Sequence, residues 1–253
     1  MISHGSGRKA APVFFDPIMS LKAVFFDAAG TLISPTEPVG RTYALFAARH
    51  GISVEPEVVM RAFRTAWKAT PPPLHPVGQA PEDDDRSWWR HLVGAVFSKV
   101  LSQPLSESTL LGLFDELYHH YAQPQAWTVF EDVLPTLNDL AGDHCLLVLS
   151  NFDRRLRGIL AGHGLLPFFE RVIISSEVGA AKPHPRMFEA ALHAVGCPPW
   201  QCLHVGDDVA CDLEGAQSSR IFSFHVKRPE NGLDVLVQKV RAGAYSGLHR
   251  LLL

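Results

Sequence analysis

The sequence is short of cysteine, of excess basic charge and of long apolar runs, and each shortage excludes a class of protein. Its four cysteines in 253 residues (Cys145, Cys197, Cys202 and Cys211) show no C-x-x-C spacing. That excludes a disulfide-stapled scaffold and fits reduced thiols in a cytoplasmic protein. With 23 basic against 26 acidic residues, the formal net charge is −3. No global positive field exists to draw nucleic acid or an anionic membrane, so neither is an expected partner. No apolar run reaches the roughly 20 residues that a membrane-spanning helix needs. The 13 histidines are scattered, without H-E-x-x-H or paired Cys/His spacing, so isolated histidines are expected rather than a zinc centre. The first 19 residues hold only a short apolar run, Ala10 to Phe15, broken by Pro12 and closed by Asp16-Pro17. This is too short for a signal-peptide core; residues 1–19 read as a leader or upstream extension, with the native start expected at Met19.

What is present is the composition of a globular core, 47% hydrophobic and 19% charged. From Lys22 onward the chain alternates apolar strands with amphipathic helices. Candidate strands are Ala23–Phe26, Cys145–Leu149, Val172–Ser175, Cys202–Val205 and Ile221–His225. Each is a near-continuous apolar run, the pattern of a strand buried on both faces. Helix candidates lie near Asp153–His163, Pro185–Val195 and Leu213–Ser219. The alternation predicts an α/β fold, a doubly wound parallel sheet of Rossmann-like type.

Between the first two strands the rhythm changes. Residues 38–125 carry no strand pattern but four helical ones, Gly40–His50, Pro56–Lys68, Ser87–Leu101 and Glu107–Tyr121. The expected organisation is therefore a core of residues 20–37 and 126–253 interrupted by a helical module at 38–125. Inside the module, Thr70 to Asp85 holds three consecutive prolines and the run Glu82-Asp83-Asp84-Asp85. That composition predicts an extended, solvated connection, with cation binding by the acidic run as the alternative.

Ligands of open α/β sheets bind at the carboxyl ends of the strands. Those ends read Phe26-Asp27-Ala28-Ala29-Gly30-Thr31, Leu149-Ser150-Asn151, Gly179-Ala180-Ala181-Lys182-Pro183 after the third strand, and Gly206-Asp207-Asp208 followed by Asp212 after the fourth. Four strand ends thus bring together a carboxylate nucleophile, a hydroxyl, an ammonium and a carboxylate cluster. Clustered hard carboxylates repel unless a hard cation joins them, and carboxylate with phosphate oxygens suits Mg²⁺. The chemistry this predicts is metal-assisted phosphoryl transfer. Asp27 attacks phosphorus, Mg²⁺ neutralises charge between two anions, and Ser150 and Lys182 hold phosphoryl oxygens.

These residues resemble the four motifs of the haloacid dehalogenase superfamily of hydrolases, over Lys22 to about Ser219. The runs Ser150 to Leu156 and Lys182 to Phe188, with Trp88-Trp89, are similar to its haloacid dehalogenase-like hydrolase domain-containing group. The resemblance implies an all-helical cap at 38–125 and a small phosphorylated metabolite as substrate. It implies Asp27 as nucleophile and Lys182 as the second catalytic group. Asp27, the Ala29 carbonyl and Asp207 would be metal ligands, with Asp208 and Asp212 holding metal-bound waters or the lysine. Ser150, Asn151, Gly30, Thr31 and Lys182 would bind the phosphoryl group.

One position departs from that pattern. Phosphatases of the superfamily carry a general-acid aspartate two residues after the nucleophile, where this sequence has Ala29. Positioned acid–base catalysis contributes roughly 10²–10⁴-fold, so substrates with good leaving groups, acyl or aryl phosphates, should suffer least. The alternatives this opens are a phosphate-binding or regulatory protein with little turnover, a phosphonate-cleaving enzyme using Lys68 as Schiff base, and a metal-free dehalogenase. The last is disfavoured by the intact Gly206-Asp207-Asp208. Trp88 and Trp89 are expected in the core of the insertion, and Cys211 as a small buried apolar residue.

Overall fold

The computed structural model describes residues 20–77 and 79–245. The expected leader at 1–19 lies outside the described residues, as do the last residues of the expected core. Among the described residues seven strands run in chain order: β1 (Ala23–Phe26), β2 (Ile33–Pro35), β3 (Trp127–Val129), β4 (Cys145–Ser150), β5 (Arg171–Ile174), β6 (Cys202–Gly206) and β7 (Phe222–His225). Five of them form one sheet in the order β5-β4-β1-β6-β7, parallel throughout. The predicted doubly wound sheet is what forms.

Register explains why β1 sits at the centre of the chemistry. Phe26 pairs with Val148 on one side and Val205 on the other, so the three strands end level. The chain runs outward from β1 to β4 and β5, then returns to place β6 and β7 on the opposite side. The resulting switch point is where such sheets leave a crevice.

Successive residues of β1 point to opposite faces, and each face meets its own core. Val24 and Phe26 join Val148 against Val133, Leu137, Ile159 and Leu236. Ala23 and Phe25 join Leu147 against Met187, Phe188 and Ala191. Burial on both sides is the reason the strands read as unbroken apolar runs. The covering helices are α5 (Val133–Leu140), α6 (Arg155–Gly162), α7 (Ser175–Val178), α8 (Pro185–Val195), α9 (Gly215–Ser218) and α10 (Leu233–Arg241), numbered after the four helices of the insertion. Local chemistry sets the ends of α8: Pro185 supplies a first-turn residue without a needed N–H, and Gly196 closes the helix at φ 64°.

The insertion contains α1 (Val39–Arg49), α2 (Pro56–Ala69), α3 (Arg86–Val100) and α4 (Glu107–His120), which share a separate apolar cluster including Tyr43, Phe46, Leu92, Phe97, Leu113 and Phe114. β2 leads the chain out to it and β3 leads it back, as an antiparallel pair in which Ile33 meets Val129. Trp88 and Trp89 lie in an aromatic group with Trp67, and Trp89 reaches Phe152 of the core at 6.3 Å between centroids. Arg155 reinforces that junction. It chelates the fully buried Asp153 at 2.6 and 2.8 Å and lies 3.7 Å over the Tyr118 ring.

The connection at 70–85 is largely exposed, as its composition predicts, and it is also tied down. Its residues strap the insertion to the core. The His75 N–H donates to the Gly179 carbonyl at 2.8 Å, and Leu74 bridges Ala180. Each aspartate of the acidic run has a protein partner: Asp83 caps Ser87, Asp84 accepts from Ser176 and from the Arg154 N–H, and buried Asp85 pairs with His75 at 2.9 Å. Carboxylates so engaged are hydrogen-bond acceptors for the protein. Composition shows how polar a segment is; it does not show which backbone groups are waiting opposite it.

Candidate active site

Asp27 follows directly on β1, its N–H donating to the Val205 carbonyl at 2.9 Å. The next residues form a tight turn in which the Ala28 carbonyl accepts from Thr31, Leu32 and Ile33. The Ala29 carbonyl takes no part in those bonds. Gly30 has φ 99°, and a Cβ there would stand 2.6 Å from Asp207 Cγ. Only glycine tolerates both the conformation and the close approach. Thr31 donates to Asp207 Oδ1 at 3.3 Å, so the turn after β1 shapes the position of the carboxylate arriving from β6.

Asp27, Asp207 and Asp212 each offer an oxygen to one point, the three atoms lying within 4.8 Å of one another. Lys182 Nζ is inserted between two of them, 2.8 Å from Asp27 and 2.5 Å from Asp212. The lysine is 1% exposed, and a buried ammonium is tolerated only with partners of this kind. Burial alone would lower its pKa, but the carboxylates of Asp212 and Asp27 more than offset this and raise it. Burial pushes Asp27 up to about 6 against the pull of Lys182. Burial also acts upward on Asp212, where Lys182 and His204 prevail and hold it low. Asp207 is raised by burial and by Asp212. An ammonium between two carboxylates, with a third alongside, can hold an anion and a hard divalent cation next to each other.

The remaining predicted residues divide. Ser150 is buried at the tip of β4. Asn151 brackets the lysine's backbone, accepting from the Lys182 N–H at 2.6 Å and donating to its carbonyl at 2.9 Å; it fixes where Lys182 stands. Asp212, expected to hold the lysine, does so. Asp208 is exposed, and its carboxylate accepts from the Cys211 N–H at 2.8 Å, capping the wide helical turn Val209–Glu214; it is not one of the three converging carboxylates. Cys211 is half-buried rather than buried, and burial with Asp208 pushes its thiol up to about 12, so it stays protonated. Lys68 is exposed on α2 and Ala29 is exposed in its turn.

The sequence reading passed over His204. Fully buried on β6, it places Nε2 2.9 Å from Asp212 Oδ1 and rests edge-on to Phe188. Burial lowers its pKa, so the neutral ring donates through Nε2–H. A signal existed: one polar residue inside the apolar run Cys202-Leu203-His204-Val205 requires a buried partner. Gly206 is equally specific, since a Cβ there would overlap the Asp212 carboxylate.

Comparison with known proteins places the chain in a family. A family model described as haloacid dehalogenase-like hydrolase matches residues 21–220. The human haloacid dehalogenase-like hydrolase domain-containing protein 3 is 33% identical over 221 residues, covering 87% of each chain. The Drosophila melanogaster rhythmically expressed gene 2 protein is 25% identical over 206 residues, 78% of this chain and 79% of that protein. Among solved structures, a HAD phosphatase from Thermococcus onnurineus has TM-score 0.60 at 24% identity, covering 88% of this chain and 99% of its own. L-2-haloacid dehalogenase from Xanthobacter autotrophicus has TM-score 0.61 at 22% identity, covering 90% and 85%. With its matched segment containing Asp27, Lys182, Asp207 and Asp212, the chain belongs to the haloacid dehalogenase-like hydrolase family.

Proposed function

We propose that this chain is a Mg²⁺-dependent phosphohydrolase acting on a small phosphorylated metabolite through an aspartyl-phosphate intermediate on Asp27. The observation that carries the reading is the buried trio of Asp27, Lys182 and Asp212 with Asp207 beside it. Asp27 attacks phosphorus, the bond to the leaving oxygen breaks, and water then hydrolyses the acyl phosphate. Lys182 stays charged and balances the phosphoryl oxygens, while Ser150 at the neighbouring strand tip donates to one of them. Asn151 keeps the lysine in register.

The donor set suits Mg²⁺. Three hard oxygens converge, and burial first, with Asp212 and Asp207 adding to it, raises Asp27 to about 6, a cost to its charged form that a dication would relieve. Asp27, Asp207 and the Ala29 carbonyl would hold the ion, with Asp212 behind them. When bound, it would screen the charge between the attacking carboxylate and the phosphoryl oxygens. The four-helix insertion serves as a cap, tied to the lysine loop by its strap. The four cysteines are free thiols, which suits the reducing cytoplasm. Among the described residues, no helix is long and apolar enough to cross a membrane.

Ala29 directs the choice of substrate. No side chain at that position can protonate a leaving group, so acyl and aryl phosphates are favoured over alkyl phosphates. The same alanine supports a second reading, a phosphate-binding protein with weak turnover. Purified protein given acetyl phosphate and p-nitrophenyl phosphate with and without Mg²⁺ tests the first. Metal-dependent turnover, faster on acetyl phosphate, and a beryllium fluoride adduct on Asp27 are expected. Absence of both turnover and adduct refutes it.

A further inference from the structure

Beyond β7 the chain carries an arginine each of whose three guanidinium nitrogens donates into the protein near the site. Arg228 Nε lies 2.9 and 3.1 Å from the two carboxylate oxygens of Asp132, and Nη2 donates to Asp132 Oδ1 at 2.8 Å. The rest of the guanidinium meets backbone: Nη2 donates to the Thr31 carbonyl at 2.9 Å and Nη1 to the Gly30 carbonyl at 3.3 Å. Its plane covers the Phe130 ring at 4.0 Å. Asp132 also accepts the Leu233 N–H at 2.9 Å, at the start of α10. Arg228, Gly30, Asp207 and His225 line a common cavity of about 390 Å³.

The two carbonyls so held belong to the residues that shape Asp207. Gly30 presents its bare Cα to that carboxylate, and Thr31 donates to it. Glycine adopts φ 99° without strain, and to the turn's own backbone bonds Arg228 adds a tie from two of its carbonyls to Asp132. A planar fork that reaches one carboxylate and two carbonyls at once can be built from arginine and not from lysine, whose single ammonium cannot span them.

We propose that Arg228, anchored by Asp132, is a positioning residue that fixes the 28–31 turn and thereby sets the spacing of Asp207 from Asp27. The assignment rests on the phosphohydrolase reading for its catalytic consequence, but its structural consequence can be read without turnover. Arg228→Gln and Arg228→Lys are compared with Arg241→Ala, which breaks an exposed ion pair to Asp139 between α10 and α5 and leaves the turn alone. Mn²⁺ alone is titrated by electron paramagnetic resonance, kcat and KM are measured on p-nitrophenyl phosphate, and amide exchange is followed over residues 28–33. Removing an outer partner of a metal site costs about 10–100-fold in affinity. Arg228→Gln should therefore weaken Mn²⁺ binding about tenfold or more and lower kcat with KM nearly unchanged; Arg228→Lys should fall between, and Arg241→Ala should match the parent. An Arg228→Gln protein with unaltered Mn²⁺ affinity and kcat overturns the proposal. Should Arg228→Gln fail to fold, Arg228→Lys decides: faster exchange at 28–33 supports the clamp, and unchanged exchange overturns it. If the parent itself neither binds Mn²⁺ nor turns over, the phosphohydrolase reading falls, while the exchange measurement still decides the clamp.

Discussion

Replacing Lys182 by Met removes the ammonium between Asp27 and Asp212 and keeps most of the volume. The two ion pairs it breaks are 2.8 and 2.5 Å long, and Asp27, Lys182 and Asp212 are respectively 7%, 1% and 2% exposed. Breaking a buried ion pair from one side costs about 3–5 kcal/mol, because the remaining charge is left without compensation. For a chain of this size that is a fall in Tm of roughly 6–20 °C. The loss should depend on pH in a definite sense. In the parent, Lys182 is raised and Asp212 is lowered, so both stay charged throughout pH 5–8 and their mutual stabilisation is fully present. In Lys182→Met the strongest influence lowering Asp27 is gone, so its carboxyl titrates above the parent's value of about 6, and Asp212 rises as well. At pH 8 both acids are ionised and buried side by side; at pH 5 at least one holds a proton and part of the penalty disappears. Thermal melts by circular dichroism at pH 5, 6, 7 and 8 without divalent cation should show the gap between parent and variant narrowing as pH falls. A gap that is constant, or that widens toward pH 5, would refute the account of this site as an ammonium-balanced carboxylate cluster.

Mg²⁺ should raise the parent's Tm more at pH 7.5 than at pH 5, since below about 6 a proton on Asp27 competes with the ion; a pH-independent shift would locate binding elsewhere. Ala29→Asp should increase hydrolysis of alkyl phosphates by roughly 10²–10⁴-fold if the parent lacks only proton transfer; no gain on any phosphomonoester would count against phosphoryl chemistry at Asp27. Gly30→Ala puts a Cβ against the Asp207 carboxylate at φ 99°, so it should cost about 1–3 kcal/mol of stability from backbone strain and weaken Mn²⁺ binding; calorimetry and titration showing parental values would contradict the geometry. Asp84→Ala removes acceptors for Ser176 and for the Arg154 N–H, so limited proteolysis should cut within 70–85 faster than in the parent. Equal cutting would mean the strap is held elsewhere.

The sheet was legible because its inner strands β1, β4 and β6 are buried on two faces, and such strands advertise themselves as apolar runs; the edge strands β5 and β7 are only partly buried. β1 and α8 fall where the sequence places them, and β5 lies one residue earlier because Ser175 opens α7. The edges of the pattern were harder to see. β2 and β3 are three residues each, too short for alternation to register, and they exist because two crossing linkers lie side by side. α5 and α10 pack on one face only, against each other and the sheet, and their apolar stripes are short. The predicted helix at Leu213–Ser219 starts earlier, as a wide turn from Val209, because Asp208 caps it and the Asp212 carboxylate must face inward. Within the site, the four strand-end motifs were readable from residue type alone. His204 showed only as a polar residue within an apolar run and Arg228 gave no such sign, since each matters through a partner 8 or 96 residues away in the chain.

The charges of the site explain why these partners are needed. Three carboxylates and one ammonium leave two negative charges in a region where Asp27 and Asp212 are nearly without water. His204 cannot supply a compensating charge, because burial keeps it neutral; it can only donate a hydrogen bond to Asp212. Arg228 is cationic, but its charge is already matched by Asp132. Under the phosphohydrolase proposal these hard oxygens would suit a small dication better than a second lysine. The crowding also accounts for the glycines: Gly30 and Gly206 lack side chains where Asp207 and Asp212 approach, and without those two absences the carboxylates could not converge as they do.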